Sequence, residues 1–228
     1  MVSATVQRLR ARMPVGLWRA AALAYREVLI FKRHRMGVWS ARKYASAKSL
    51  RLNIGCGPNL KPGWINIDMG GSGADLTLDM REKIPLPDGS AQTIYSEHFF
   101  EHLDYPNDTM KFLRECWRVL EPAGMFRVVV PDTEWPLREY VDRTKTEYLE
   151  ETAKSKWHPD WCKTFMEHIN YHFRQDGEHG FAWDFETMKK ALDEVGFAKI
   201  TQGIYLPEMD TERRKVGSLY ADAVKPTT

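Results

Sequence analysis

The sequence predicts an α/β architecture built on a mostly parallel sheet. Three features carry that expectation. Short apolar runs recur from residue 50 onward, as in "LRLNIG", "WINID", "AQTIYSEH" and "MFRVVVPD". Segments with apolar residues at helical spacing stand among and after them, "PNDTMKFLRECWRVL" and "FETMKKALDEVGF". Strands that alternate with helices imply crossover connections, hence parallel pairing and a sheet covered on both faces. The 228 residues, 43% of them hydrophobic, suffice for one domain with a full core.

Taken in order, residues 1–48 form a basic helical extension. They carry eleven Lys or Arg against one acid, Glu27, whereas the remaining 180 residues carry 22 basic and 30 acidic side chains. The stretch "VQRLRARMPVGLWRAAALAYREVLIFKRHRMGVW" predicts one or two basic amphipathic helices. They can pack on the domain edge, lie on a membrane surface or acidic partner, or serve as an organelle-targeting peptide. The acidic body offers no broad basic face, so no stable nucleic-acid partner is expected.

From 49 to 228 the pattern is that of a single α/β domain. "LRLNIG" and "WINID" are the first two strands. "ADLTLDM" is a third, followed by the loop "IPLPDGS", and "AQTIYSEH" is a fourth. The helix in "PNDTMKFLRECWRVL" aligns Met110, Leu113, Trp117 and Leu120, with Asn and Asp as candidate caps, and ends at "EPAG". "MFRVVVPD" is the fifth strand. A later helix closes at Gly196, and "AKITQGIYL" and "SLYADAVK" read as a final antiparallel pair. Residues 133–183, rich in aromatics, are longer than a connector needs and predict a helical insertion that roofs the site. Cys56, Cys116 and Cys162 are too few and scattered for a disulfide framework, so a reducing, cytoplasmic setting is expected. No run of about 18 apolar residues predicts a membrane span.

The segment "NIGCGPNLKPGWINID" narrows the ligand. A dinucleotide turn needs G-x-G-x-x-G with an acid about 20 residues on. Gly55 and Gly57 are present, but the third position is Leu60, and the acid, Asp68, comes only 11 residues after Gly57. Pro58, Pro62 and Gly63 oppose a helix there, so a pyrophosphate would lose the helix N-terminus that normally receives it. S-adenosyl-L-methionine, which has no phosphate, suits the segment better. Its amino-acid end needs backbone groups, and its ribose diol needs a carboxylate, Asp68.

The run "NIGCGPN…INIDM…DLTLDMREKIPLPDGSAQTIYSEHFFEHLDYP…FLRECWRVLEPAGMFRVVVPD", with the closing "HGFAWDFETMKKALDEVGF", resembles class I S-adenosylmethionine-dependent methyltransferases. It is most similar to a bacterial branch associated with polysaccharide pathways. The resemblance implies a Rossmann-like seven-stranded sheet, mostly parallel, with the last strand antiparallel. It also implies that Asn53, Gly55 and Gly57 line the methionine end, that Asp68 takes the ribose hydroxyls, that Asp79 and Met80 flank the adenine, and that Ser96 closes the pocket.

Methyl transfer to a hydroxyl needs a proton acceptor or a metal ion. If a helix begins at "SEHFFEHL", His98, Glu101 and His102 share a face at i, i+3 and i+4, a ligand set for Mg²⁺ or another divalent cation. That block resembles the E-x-x-E-H metal motif of small-RNA 2′-O-methyltransferases and ubiquinone-pathway O-methyltransferases, with His98 in place of the first Glu. His172 and His179 are the leading candidates for the catalytic base, ahead of His168 and Asp132. The aromatic-rich roof suits a sugar acceptor, and the expected activity is O-methylation of a small molecule. A phenol, a quinone-like ring and an RNA 2′-hydroxyl are the other acceptors considered. A non-catalytic scaffold is the rival class, and a homodimer is compatible with the sequence.

Overall fold

The computed structural model describes residues 13–70 and 73–227. Its sheet has seven strands: β1 (Leu50–Ile54), β2 (Ile65–Asp68), β3 (Leu76–Thr77), β4 (Ala91–Glu97), β5 (Leu120–Pro131), β6 (Ala198–Gln202) and β7 (Ser218–Val224). Their spatial order is β3-β2-β1-β4-β5-β7-β6. The first five pair in parallel, and β7 runs antiparallel to both β5 and β6. This is the expected Rossmann-like sheet. The order reverses beside β1, which places a ligand crevice at the carboxyl ends of β1, β2 and β4.

The two faces of the sheet differ. Leu52, Ile54, Ile94, Phe126, Val128 and Val130 point into the main core. Two helices cover that side, α2 (Asn107–Val119) and α3 (Phe185–Val195). Phe112, Leu113 and Cys116 from α2 and Met188, Ala191 and Leu192 from α3 are fully buried there, as the 3.6-residue period of each segment requires. Asp184 caps α3 by accepting the Thr187 N–H, and Gly196 ends it at φ 101°.

No described helix spans the β1–β2 connection. The opposite face carries Tyr95, Val129 and Tyr220, with Trp64, Tyr205 and Met209 packed over them. Arg127, 1% exposed, is held there by Asp210 and Asp222. Loops and a buried ion cluster do here what helices do on the first face. This also explains how so short a β1–β2 connection suffices. The Gly55 and Cys56 amides both donate to the Ile67 carbonyl, and Asn66 Oδ1 accepts from Asn53 Nδ2 and the Lys61 amide, so buried side chains satisfy the turn in place of a helix.

Some boundaries differ from expectation. β3 has two residues, and just before it the Asp75 carboxylate accepts the Asn66 N–H. The expected Asn and Asp caps of α2 do not form. The Asp104 carbonyl accepts the Asp108 and Thr109 amides instead. "EPAG" lies inside β5 as an irregularity, with Ala123 at φ 62° and the register shifting between Ala91 and Thr93.

The N-terminal segment forms one helix, α4 (Val15–Ala41), and residues 1–12 lie outside the described residues. Its carboxyl half packs on the β3 edge, where Gly37 and Ala41 are buried and a Cβ on Gly37 would overlap the Thr77 carbonyl. Leu17, Val28, Phe31 and Trp39 are exposed. The insertion contains three helices: α5 (Glu134–Val141), α6 (Glu147–Ser155) and α7 (Phe165–Arg174). Their packing centres on Tyr148, which is fully buried against Trp135, Phe165 and His172. No described helix is long and apolar enough to cross a membrane.

Candidate active site

The glycine turn and the β2 acid are joined directly. Asp68 ends β2, and its carboxylate accepts the Gly57 N–H and the Gly70 N–H, each at 2.9 Å. Gly57 takes φ 48°, and a Cβ there would meet nothing within 4 Å, so the turn presents an open face. Gly55 takes φ 69°, and a Cβ on it would overlap the Phe99 side chain. Only glycine allows that backbone and that contact together.

The other cofactor candidates fall into distinct places. Asn53 is 2% exposed and braces the turn from behind, donating to the Asn59 carbonyl and Asn66 Oδ1. Ser96 is fully buried, and its Oγ has no hydrogen-bond partner among the described residues. Met80 is buried in the main core. Asp79 is engaged by Arg81, which also bridges to Glu27 of α4, and its amide donates to His34 Nδ1 of α4 at 3.2 Å. The Arg81 hydrogen bonds outweigh burial and hold the Asp79 carboxyl below its usual range, although burial is the largest single influence.

The "SEHFFEHL" block does not form the expected helix. His98 sits at φ 51°, and only Phe100–His102 make a 3₁₀ turn. His98, Glu101 and His102 therefore do not line one α-helical face. His98 Nε2 contacts Ser218 Oγ at 2.9 Å, while its Nδ1 lies 3.7 Å from Glu101 Oε1. His179 takes the place His98 was expected to fill: Glu101, His102 and His179 bring ligand atoms within 4.8 Å of one another.

The tautomers of this trio follow from their partners. His102 Nδ1 faces the Glu178 carbonyl at 2.9 Å, and His179 Nδ1 faces the His172 carbonyl at 3.0 Å. A carbonyl only accepts, so both Nδ1 atoms carry hydrogen and both Nε2 atoms present lone pairs. Glu101 is 2% exposed, and its Oε2 has no described partner. Burial raises its carboxyl to about 8. Burial lowers His172 and His179 to about 4 each, and His98 well below the usual imidazole range.

A cavity of about 650 Å³ opens beside this cluster. His98, His172, His179, Trp157, Tyr171 and Arg214 are among the residues that line it. None of Gly55, Gly57 and Asp68 borders it, so it is distinct from the glycine turn. Arg214 was not legible as a site residue. It donates to the Glu97 carbonyl at the end of β4, and its segment shows in the sequence only as the charge run "ERRK". His168 lies outside the trio and contacts His158.

Residues 68–128 match the family model of a methyltransferase domain. A 50-residue stretch is 40% identical to a probable S-adenosylmethionine-dependent methyltransferase of Mycolicibacterium smegmatis, covering 22% of this chain and 18% of that protein. The chain thus aligns with less than a fifth of that relative's length. Among solved structures, the chain is similar to a SAM-dependent methyltransferase from Archaeoglobus fulgidus, 15% identical over 84% of this chain and 94% of that one, with a TM-score of 0.49. It is also similar to Haemonchus contortus phosphoethanolamine N-methyltransferase 2 in complex with S-adenosyl-L-methionine, 12% identical over 84% and 52% of the two chains, with a TM-score of 0.46.

Proposed function

We propose that the chain is an S-adenosylmethionine-dependent methyltransferase acting on a hydroxyl of a small molecule, with a sugar as the favoured class. The observation that carries this reading is the Asp68 carboxylate tied to the Gly57 amide at the end of β2. It sits within a connection that has no described helix to receive a pyrophosphate. S-adenosylmethionine fits the groups present: the open face of Gly57, the Asp68 carboxylate, and the Ser96 hydroxyl, which has no partner among the described residues. Bound there, it supplies a methyl group already activated on a sulfonium. The protein's part is to align the acceptor, exclude water and take up the hydroxyl proton.

The cavity supports a polyhydroxylated acceptor. Trp157 and Tyr171 offer ring faces, and Glu151, Ser155 and Gln175 add polar groups. His172 and His179 are the proton acceptors in this reading, since His172 Nε2 is buried without a described partner and His179 Nε2 carries a lone pair.

A second reading gives the trio a divalent cation. It is favoured by Glu101 Oε2, which has no described partner, and by two imidazoles whose Nδ1–H groups are held by backbone carbonyls, the arrangement typical of metal-ligating histidine. Glu101, His102 and His179 would hold the ion, which supplies Lewis acidity, and two imidazoles suit zinc, iron or manganese better than Mg²⁺. His172 then remains as the base.

Calorimetry with S-adenosylhomocysteine, followed by transfer of a labelled methyl group to a panel of sugars with and without EDTA, tests both readings. Binding and chelator-resistant transfer support the first, and chelator-sensitive transfer supports the second. Absence of binding would overturn both in favour of a scaffold. Steeply salt-dependent acceptor binding would point to RNA instead.

A further inference from the structure

A second cluster of metal-ligating side chains lies in the insertion, apart from the trio at Glu101. His158 and Cys162 stand in the loop between α6 and α7, and His168 stands in the first turns of α7. The two Nδ1 atoms are 2.9 Å apart, and the Cys162 sulfur lies within 4.8 Å of a ring nitrogen of each histidine. The imidazole rings are stacked, with centroids 5.1 Å apart. Cys162 is 6% exposed, and its thiol makes one long contact, 3.8 Å to the Glu167 carbonyl.

The backbone fixes this geometry. Thr164 and Glu167 form a reciprocal capping box at the start of α7, and Glu167 also accepts the Lys163 amide. That box sets the angle at which the loop enters the helix and so turns His168 back toward the loop. Glu167 is occupied by the cap, which leaves two nitrogens and one sulfur as the local donor set. Zn–N bonds of about 2.0–2.1 Å at a tetrahedral angle need nitrogens about 3.4 Å apart, so the two rings need to separate by only about half an ångström. Nitrogen and thiolate donors select zinc over magnesium or calcium.

We propose that His158, Cys162 and His168 form a zinc site that staples the α6–α7 loop and so fixes one wall of the histidine-lined cavity, which His158 also lines. Ligation converts the Cys162 thiol to a thiolate, with its proton released to solvent, and a water completes the fourth position. The site stands independently of the proposed methyl transfer.

Cobalt(II) titration of the full, metal-stripped chain tests it, because a thiolate ligand gives cobalt an intense near-ultraviolet charge-transfer band that a Glu–His–His site does not. The expected result is that band, displaced by zinc, lost in Cys162→Ser, lost or strongly weakened in His168→Ala, and kept in Glu101→Gln. Circular dichroism confirms that each variant is folded, and His168→Ala decides the matter should Cys162→Ser fail to fold. A wild-type chain with no such band, a band that remains in Cys162→Ser, or one that keeps its full strength in His168→Ala overturns the proposal.

Discussion

At the glycine turn, residues 53–68 hold one another largely through backbone groups and through side chains of the same short stretch: Gly55 and Cys56 to Ile67, Gly57 to Asp68, Asn53 to Asn66. The histidine cavity is put together differently. Its lining runs from His98 to Gly217 and comes from four separate parts of the chain. A turn built from neighbouring backbone groups is fixed once the strands on either side pair. A cavity built from distant side chains depends on the whole insertion closing over the sheet. In the proposed reading, cofactor grip and acceptor choice vary separately, since no residue of the 53–68 turn lines the cavity.

The sharpest separation is expected at the histidines. His172→Ala and His179→Ala should each lower methyl transfer by about 10²–10⁴-fold, while leaving S-adenosylhomocysteine affinity unchanged by calorimetry. Loss of cofactor affinity in these variants would mean that the two regions are one unit.

Within the turn, two glycines should respond unequally. Gly55→Ala combines a left-handed backbone with overlap on Phe99, a cost of about 2–5 kcal/mol. Gly57→Ala meets open space and should cost only about 1–2 kcal/mol, all of it in the backbone. Denaturant midpoints measure the difference, and equal losses would show that Phe99 yields freely.

Asp68→Ala should weaken S-adenosylhomocysteine binding by about 2–4 kcal/mol, the worth of two charge-assisted hydrogen bonds before compensation. Asp68→Asn should fall between the variant and the parent chain. A folded Asp68→Ala chain with undiminished affinity would remove Asp68 from the cofactor site.

The smallest expected effect is a pH dependence of stability in chelator-treated protein. His172 and His179 are lowered by burial to about 4. Below about 6.5 the unfolded chain binds protons that the native chain refuses, so stability is lost as pH falls from there through 4. Glu101 is raised by burial to about 8. Its contribution is complete below the ordinary Glu value and is lost as pH rises through 8. Thermal unfolding across this range should therefore show a maximum near pH 6.5. Glu101→Gln should flatten the alkaline side only, and a decline that persists in that variant would assign it to another group.

Much of this could be read from the chain before any coordinates. Apolar runs of strand length and two segments with a 3.6-residue period place the strands and both sheet-covering helices, because burial on a flat sheet imposes those periods on the sequence itself. The G-x-G with a nearby acid marks the turn, since its partners lie within 16 residues. Local sequence also determines what the turn excludes, because Pro58, Pro62 and Gly63 bar a helix whatever surrounds them.

Tertiary structure alone decided the rest. It placed His179 beside Glu101 and His102 and moved His98 onto Ser218, because the Gly180 and Phe181 amides reach across to the Glu101 carbonyl. It turned the expected helix at "SEHFFEHL" into a short 3₁₀ turn. It closed one sheet face with Arg127 and its two aspartates, 83 and 95 residues away in sequence. No period or spacing records such contacts. They are chosen by which buried polar groups can satisfy one another once the strands are aligned, and that is a property of the packed chain rather than of any segment in it.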